Sequence, residues 1–395
     1  MVSRETVPNC TGCAACQNAC GVDAITLVAD HEGFVYPHVD RDKCVNCGKC
    51  AKSCPSLHSE PKASYVQPEV YAAWNRDTEV RVLSTSGGVF SALAQAVIAR
   101  GGYVAGAFYN EDFRICHGVI SSMDQIPRLR QSKYAQSWIG DTYKTVKKLL
   151  QNEKTVLFCG TPCQSAGLQQ FLGKEYENLY CCDFICRGVI SPKVYAKFLQ
   201  DMSLDQNTQL QKVHFKNKDF GWNRFSTKLT FQNGDIYHKD RNEDYYMRGY
   251  LRYNLYLRPS CHHCQYKTLP RISDMSLGDF WGIGNFDPTL DNDKGTSVVL
   301  VNSEKGRSLL ALAQDSLELH KRCIEEVTAG NSCLLNVARP GKYRDLFFKK
   351  MDSFRFDELI RMIDKKVHKI PLSSKIRQRL GLLKRRVLKF KQKDK

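Results

Sequence analysis

At 395 residues the chain has room for two or three domains around a sizeable core, and its 42% hydrophobic, 10% aromatic and 25% charged residues exclude a mini-protein, a fibrous chain and wholesale disorder. No run approaches the roughly 18 to 20 apolar residues of a membrane span and the start, MVSRETVPNC, has no apolar signal core, so the chain is expected in the cytoplasm. The net charge of +17 is concentrated: residues 365–395 hold thirteen Lys or Arg against Asp394 alone, leaving about +5 for the rest.

Eighteen cysteines in such a chain call for a use of reduced thiols, and eight precede residue 55. Cys10, Cys13, Cys16 and Cys20 form one C-x-x-C-x-x-C-x-x-x-C run; Cys44, Cys47, Cys50 and Cys54, followed by Pro55, form a second about 34 residues later. This is the signature of a two-cluster bacterial ferredoxin, in which the fourth cysteine of each run serves the cluster of the other. The expected sets are therefore Cys10, Cys13, Cys16 with Cys54, and Cys44, Cys47, Cys50 with Cys20, each holding a 4Fe-4S cluster. Zinc is the weaker reading, because one tetrahedral ion has no need of four thiolates in eleven residues. Gly21 stands where proline often follows the fourth cysteine, which bears on the local turn and not on ligation. A ferredoxin-like domain over 1–56 follows, held by metal more than by core size.

Residues 57–69 are polar with two prolines and read as a linker. An α/β body is expected over 70–350. VYAAW from Val70 is a strand, Ser84-Thr85-Ser86-Gly87-Gly88 a turn, and VFSALAQAVIARGG a helix with one buried face. Strand, glycine loop and helix is an anion-binding layout, although a plain helix cap gives the same pattern. TYKTVKKLLQ (helix), TVLFCG (strand), TPCQ (loop), SAGLQQFLG (helix) and LYCCDFI (strand) continue the alternation that predicts a parallel sheet with helical crossovers. Ligands of such sheets collect beyond the strands' carboxyl ends, where Cys163 and Cys186 fall. KLTF and DIYHKD around Asn233-Gly234 predict a β-hairpin excursion from the main sheet, which can be mixed. The basic, aromatic run 205–258 reads either as a pocket for an anionic or aromatic ligand or as a solvated face with core tyrosines. Cys261-His262-His263-Cys264 follows; a lone C-x-x-C suits zinc, a dithiol or a cluster, and with Cys163 and Cys186 it makes four thiolates, enough for a third cubane. Finally, residues 351–395 form a basic tail in which Ile376, Leu380, Leu383, Val387 and Phe390 give one apolar helical face. That pattern fits an anionic membrane surface, an acidic electron carrier or a merely solubilising segment. With no aromatic platform or helix-turn-helix pattern, no nucleic acid is expected.

The ordered series of ferredoxin motifs, STSGG (84–88), SKYAQS (132–137), FCGTPCQ (158–164), ICRGVISP (185–192), CHHC (261–264), SLGDFWG (276–282) and KGTS (294–297) resembles the coenzyme F420 hydrogenase/dehydrogenase beta subunit family over roughly residues 5–330. The resemblance implies an FAD-binding domain. Ser84, Thr85, Ser86, Gly87, Gly88, Gly160, Thr161, Pro162 and Gln164 would cradle the cofactor, with Lys133, Tyr134, Ser137, Gly278, Asp279 and Trp281 around it. It also implies Cys163, Cys186, Cys261 and Cys264 as ligands of the cluster nearest the flavin. The remaining cysteines, Cys116, Cys159, Cys181, Cys182, Cys323 and Cys333, read as buried apolar thiols.

What the resemblance implies for function is an iron-sulfur flavoprotein oxidoreductase that relays electrons between 4Fe-4S clusters and FAD, to or from a hydride-carrying small molecule such as a deazaflavin, with ferredoxin or another redox protein as partner. No catalytic side chain is assigned, since the cofactor carries the chemistry. Bacterial relatives of similar architecture are associated with surface-polysaccharide biosynthesis. A saccharide or lipid-linked substrate therefore stays open, as does a non-catalytic electron-transfer subunit. The tail adds a peripheral place at the inner membrane face as an alternative.

Overall fold

The structure, a computed structural model, describes residues 1–58 and 67–368. The expected linker lies partly, and the apolar face from Ile376 to Phe390 wholly, outside the described residues. Contacts divide the chain into Met1–Gly341 and Lys342–Lys395. In the second unit Phe347 on the helix Arg344–Lys350 meets Phe356, the first residue of the helix Phe356–His368, edge to face at 6.1 Å.

The first unit opens with a hairpin of β1 (Ile25–Ala29) and β2 (Val35–Val39) between the two cysteine runs. Its main sheet uses β3 (Glu69–Asn75), β4 (Tyr103–Tyr109), β5 (Ile115–Ile120), β6 (Val156–Gly160) and β7 (Leu179–Phe184). A separate antiparallel sheet follows, β8 (Leu210–Asn217), β9 (Ser226–Phe231) and β10 (Ile236–Asp240). The chain then returns to the main sheet with β11 (Met275–Asp279), β12 (Ser297–Val301) and β13 (Leu317–Arg322). The order is β13-β3-β12-β11-β7-β6-β4-β5, parallel from β4 through β6 and β7 to β11 and antiparallel elsewhere. The sheet is therefore mixed. The alternation predicted its parallel centre, while β5, β12, β3 and β13 reach it by short or antiparallel connections that the helix-strand rhythm does not announce.

Alternation along the central strands places successive residues on opposite faces. Val104, Leu157, Cys182 and Val299 pack under the helices Val89–Ile98 and Glu304–Ala313, while Ala105, Val156, Phe158 and Cys181 pack under Thr142–Gln151 and Pro162–Leu172. The second face also receives Cys13, Ala14 and Ala15 of the cysteine module. The module is thus built onto the body: Asn18 Nδ2 donates to the Gly140 carbonyl at 2.9 Å, Gln265 Nε2 to that of Pro55 at 3.1 Å, and the Ser191 hydroxyl to that of Glu32.

One expected boundary moves. TPCQ is not a loop: Thr161 is the N-cap and Pro162 opens the helix, with a capping box in which the Thr161 hydroxyl accepts from the Gln164 amide at 3.4 Å and Gln164 Oε1 accepts from the Thr161 amide at 2.9 Å. Cys163 therefore sits in a helical first turn at the carboxyl end of β6.

Candidate functional site

Both cysteine runs share one backbone device. Gly12 (φ +68°) and Ala14 (+64°) flank Cys13, and Asn46 (+54°) and Gly48 (+73°) flank Cys47. Left-handed residues at matching positions curl each run so that its thiols face inward, and the short helices Ala15–Asn18 and Lys49–Lys52 then carry the third cysteine of each. Cys10, Cys13, Cys16 and Cys54 line one pocket with Val2 and Val7. Cys44, Cys47, Cys50 and Cys20 line a second with Val22 and Val45. These are the two sets expected from the sequence, exchange of the fourth cysteine included. They differ in exposure, since Cys13 is buried and Cys47 exposed. Burial pushes the Cys13 thiol up to about 12, with the neighbouring Cys10 and Cys54 adding to it against opposing hydrogen bonds. A thiol in such surroundings ionises only against bound positive charge, which an iron cluster supplies.

The third group assembles at the carboxyl edge of β6 and β7. Cys163 enters from the helix after β6, Cys186 from the loop after β7, and Cys261 and Cys264 from the 3-10 turn Pro259–His263 and the residue after it. Burial raises Cys163, Cys186 and Cys261, the last two to about 12, and neighbouring thiols add to it: Cys163 feels Cys261 and Cys264, and Cys186 feels Cys163 and Cys264. The Val189 amide donates to Cys261 Sγ at 3.4 Å, and the Thr161 hydroxyl lies 3.1 Å from Cys163 Sγ. Lys267 Nζ donates to the carbonyls of Cys186 and Cys333. Arg271, buried with Asp183 at 2.8 Å, donates to the Tyr266 carbonyl at 2.8 Å and so ties the CHHC segment to β7. Among the described residues no three His, Cys, Asp or Glu side chains converge as they would around a single metal ion.

The first and third groups adjoin. Gly167 lies one helical turn beyond Cys163 on the same face of Pro162–Leu172, and a Cβ there would come within 3.0 Å of Cys13 Sγ and of the Tyr143 hydroxyl. The absent side chain is what admits the module's sulfur. The Tyr143 hydroxyl donates to the Gln164 carbonyl at 2.8 Å, so the aromatic ring lies beside both sets.

The residues expected around a flavin meet at the same sheet edge. The Ser132 amide donates to Thr85 Oγ1 at 2.8 Å and Gln164 Nε2 to Ser137 Oγ at 2.9 Å, joining the 84–88 loop, the 132–137 segment and the 160–164 turn. Ser86 Oγ donates to the Thr296 carbonyl, and Gly87 presses on β3 and β12, where a Cβ would lie 2.3 Å from the Ala73 carbonyl. Lys133 is no surface charge: its Nζ donates to the carbonyls of Leu129, Arg130 and Gln131, and burial lowers it to about 7. Tyr134 packs edge-on against Phe215 and Tyr250. Gly278 and Asp279 end β11, and Trp281 stacks on Trp222 at 4.6 Å. Two buried polar atoms around this edge lack a protein partner, Asn75 Nδ2 beside Gly88 and His117 Nδ1 near Cys159. Unused hydrogen-bonding groups of this kind suit a polar cofactor edge.

Sequence reasoning missed three basic groups. Lys216 is buried and pairs with Asp279 at 2.6 Å, Lys218 Nζ donates to the carbonyls of Arg81, Ser86 and Lys294, and Arg81 Nε donates to that of Gly295 at 2.8 Å. Burial lowers Lys218 to about 7. Lysines two apart at the end of a strand, in HFKNKDF, were the available signal. Of the tyrosines of the excursion, Tyr246, Tyr250, Tyr253 and Tyr256 are buried, while Tyr237 and Tyr245 are half-buried. Of the six remaining cysteines, Cys181 and Cys182 are buried as expected, Cys116, Cys159 and Cys333 are half-buried, and Cys323 is exposed, at the N-cap position of the helix Ile324–Gly330 and without a side-chain cap bond.

The family model for the C terminus of the coenzyme F420 hydrogenase/dehydrogenase beta subunit matches residues 153–327. Two models described as 4Fe-4S dicluster domain match residues 9–57 and 36–99. Among solved structures, a chain of the F420-reducing NiFe hydrogenase complex from Methanosarcina barkeri is 18% identical, over 77% of this chain and 92% of that one, with a TM-score of 0.44. No curated protein is significantly similar to the chain. Among the described residues no helix is long and apolar enough to cross a membrane.

Proposed function

We propose, for a chain that matches the C-terminal model of the coenzyme F420 hydrogenase/dehydrogenase beta subunit over residues 153–327 and a 4Fe-4S dicluster model ahead of it, that it is an FAD-dependent iron-sulfur oxidoreductase acting on a hydride-carrying small molecule. The eight module cysteines would hold two 4Fe-4S clusters and Cys163, Cys186, Cys261 and Cys264 a third. The 84–88 loop, Lys133, Tyr134, Ser137 and the 160–164 turn would hold FAD, with Gly278, Asp279 and Trp281 at its border. When bound, the clusters would carry single electrons, and FAD would interconvert two of them, with a proton, and one hydride.

The observation that carries this reading is the contact of Cys13 with Gly167, one turn from Cys163, which brings the first thiol set beside the third at the sheet edge. Each residue then has a plain task. Val2, Val7 and the apolar lining keep water from the first set. The Val189 amide donates to the Cys261 sulfur, which favours the charged thiolate. Lys133 Nζ, brought to about 7, is able to hold or release a proton near neutral pH at the cofactor edge.

The test is iron, sulfide and flavin content of protein purified without oxygen. About twelve irons with one FAD is the expected result, four irons for each cubane. About eight irons without flavin would reduce the chain to a ferredoxin fused to a binding module.

A further inference from the structure

Arg258 lies where the cysteine module meets the body and is 0% exposed. Its side chain is held on every side: Nε donates to the Cys10 carbonyl at 2.9 Å, Nη2 to the Val35 carbonyl at 2.9 Å and Nη1 to Gln136 Oε1 at 2.8 Å. The guanidinium also lies over the Tyr36 ring at 4.5 Å and the Phe34 ring at 5.5 Å. Three residues later comes Cys261, whose amide donates to the Arg258 carbonyl at 2.9 Å. One residue thus grips a ligand of the first thiol set by its side chain and a ligand of the third by its main chain.

Every hydrogen-bond acceptor of this buried cation is neutral. A guanidinium taken out of water without a carboxylate is costly, so compensation must come from charge close by. Thiolate-held cubanes provide it, because four thiolates outweigh the positive charge of the iron-sulfide core, and they do so on both sides of Arg258.

We infer that Arg258 is a positioning residue shared by the first and third thiol sets, and that its fixed charge raises the reduction potential of both. The inference rests on the proposed reading that both sets hold clusters. A positive charge favours the more negative, reduced form. In the exchange between the sets, one loses the single electron that the other gains, and no bond or proton changes hands.

The experiment is a redox titration of the full chain, prepared without oxygen and followed by electron paramagnetic resonance, on the unmodified protein and three variants. Arg258→Met should lower the midpoint potentials of the first and third sets and leave the second, which has no bond to Arg258, where it was. Arg258→Lys keeps the charge and should keep the potentials. Arg258→Gln removes the charge while keeping a side-chain donor for the Cys10 or Val35 carbonyl, and should also lower both; it decides the matter if the Met variant fails to retain iron. First and third potentials that stay put in the Met and Gln variants would overturn the inference alone. An unmodified protein without a third signal would overturn the proposed function, and this inference with it.

Discussion

In the module, Cys10, Cys13 and Cys16 are gathered by left-handed residues placed between them, whereas Cys163, Cys186 and Cys261 stand 23 and 75 residues apart and meet only because β6 and β7 end at one edge of the sheet. The two regions differ as much in what holds them. The body has a core on each face of an eight-stranded sheet. The module's own apolar cluster is Val2, Val7 and Ile25, and most of what packs against it is the cysteines themselves. Gathering thiols locally leaves little else to fold around, so the module should depend on its iron and the body should not.

The sharpest way to break that contrast is to strip iron with a chelator without oxygen and follow hydrogen exchange along the chain. Amides of β1, β2 and the helix Ala15–Asn18 should lose protection entirely while those of β6, β7 and β12 keep it. A module that stays protected would mean that its contacts with the body, through Asn18, Gln265 and Arg258, suffice to hold it.

Next in size is Cys163→Ser. Because this thiol comes from a capped helix whose fold does not need the metal, the variant should lose about four of twelve irons, a third of the total, and keep both module signals and the body's thermal midpoint. Loss of all the iron would show that the third set is needed for the module to assemble, and would erase the distinction between the two regions.

The same contrast explains how much could be read from the sequence. In the module the ligands lie in two runs with a fixed period, so the eight cysteines, their division into sets and the exchange of Cys20 and Cys54 were legible without coordinates. In the body the strand 156–160, the helix 142–151 and the hairpin at Asn233-Gly234 were legible because each carries a local pattern. What was not legible is pairing over long separations: the place of β3 between β12 and β13, the Lys216–Asp279 pair across 63 residues, and the depth of Lys133. Lysines carry no mark of burial, and only the sheet order brings the partners together. The TPCQ loop was misread for a local reason, since proline at a helix's first turn looks like a turn until the capping box around it is recognised.

A third test weighs the body's polar interior. Lys216 is 1% exposed and its ammonium faces Asp279 and the Trp281 ring, 4.5 Å away. Asp279→Ala should cost about 3 to 5 kcal/mol in urea unfolding, because it strands a buried charge, and adding Lys216→Met should recover most of it. Recovery with iron and flavin content unchanged would make the pair structural. If the double variant regains stability but retains no FAD, Asp279 and Lys216 belong to the cofactor site.

The smallest effect concerns His117. Its ring is buried, donates from Nε2 to the Cys159 carbonyl at 3.3 Å and titrates at about 4, held down chiefly by burial, against an ordinary 6.5. The folded state thus binds fewer protons than the unfolded one between those values. The stability that follows is fully present above pH 6.5 and is lost as pH falls toward 4, up to about 3 kcal/mol. His117→Gln can keep the bond to Cys159 and cannot titrate, so its thermal midpoint should gain on that of the unmodified protein as pH drops from 7 to 4. Iron loss in acid, where thiolates reprotonate, affects both proteins alike and cancels in the comparison. A difference that stays constant over the range would place the role of His117 in packing against Phe158 and leave acid sensitivity to the thiol sets alone.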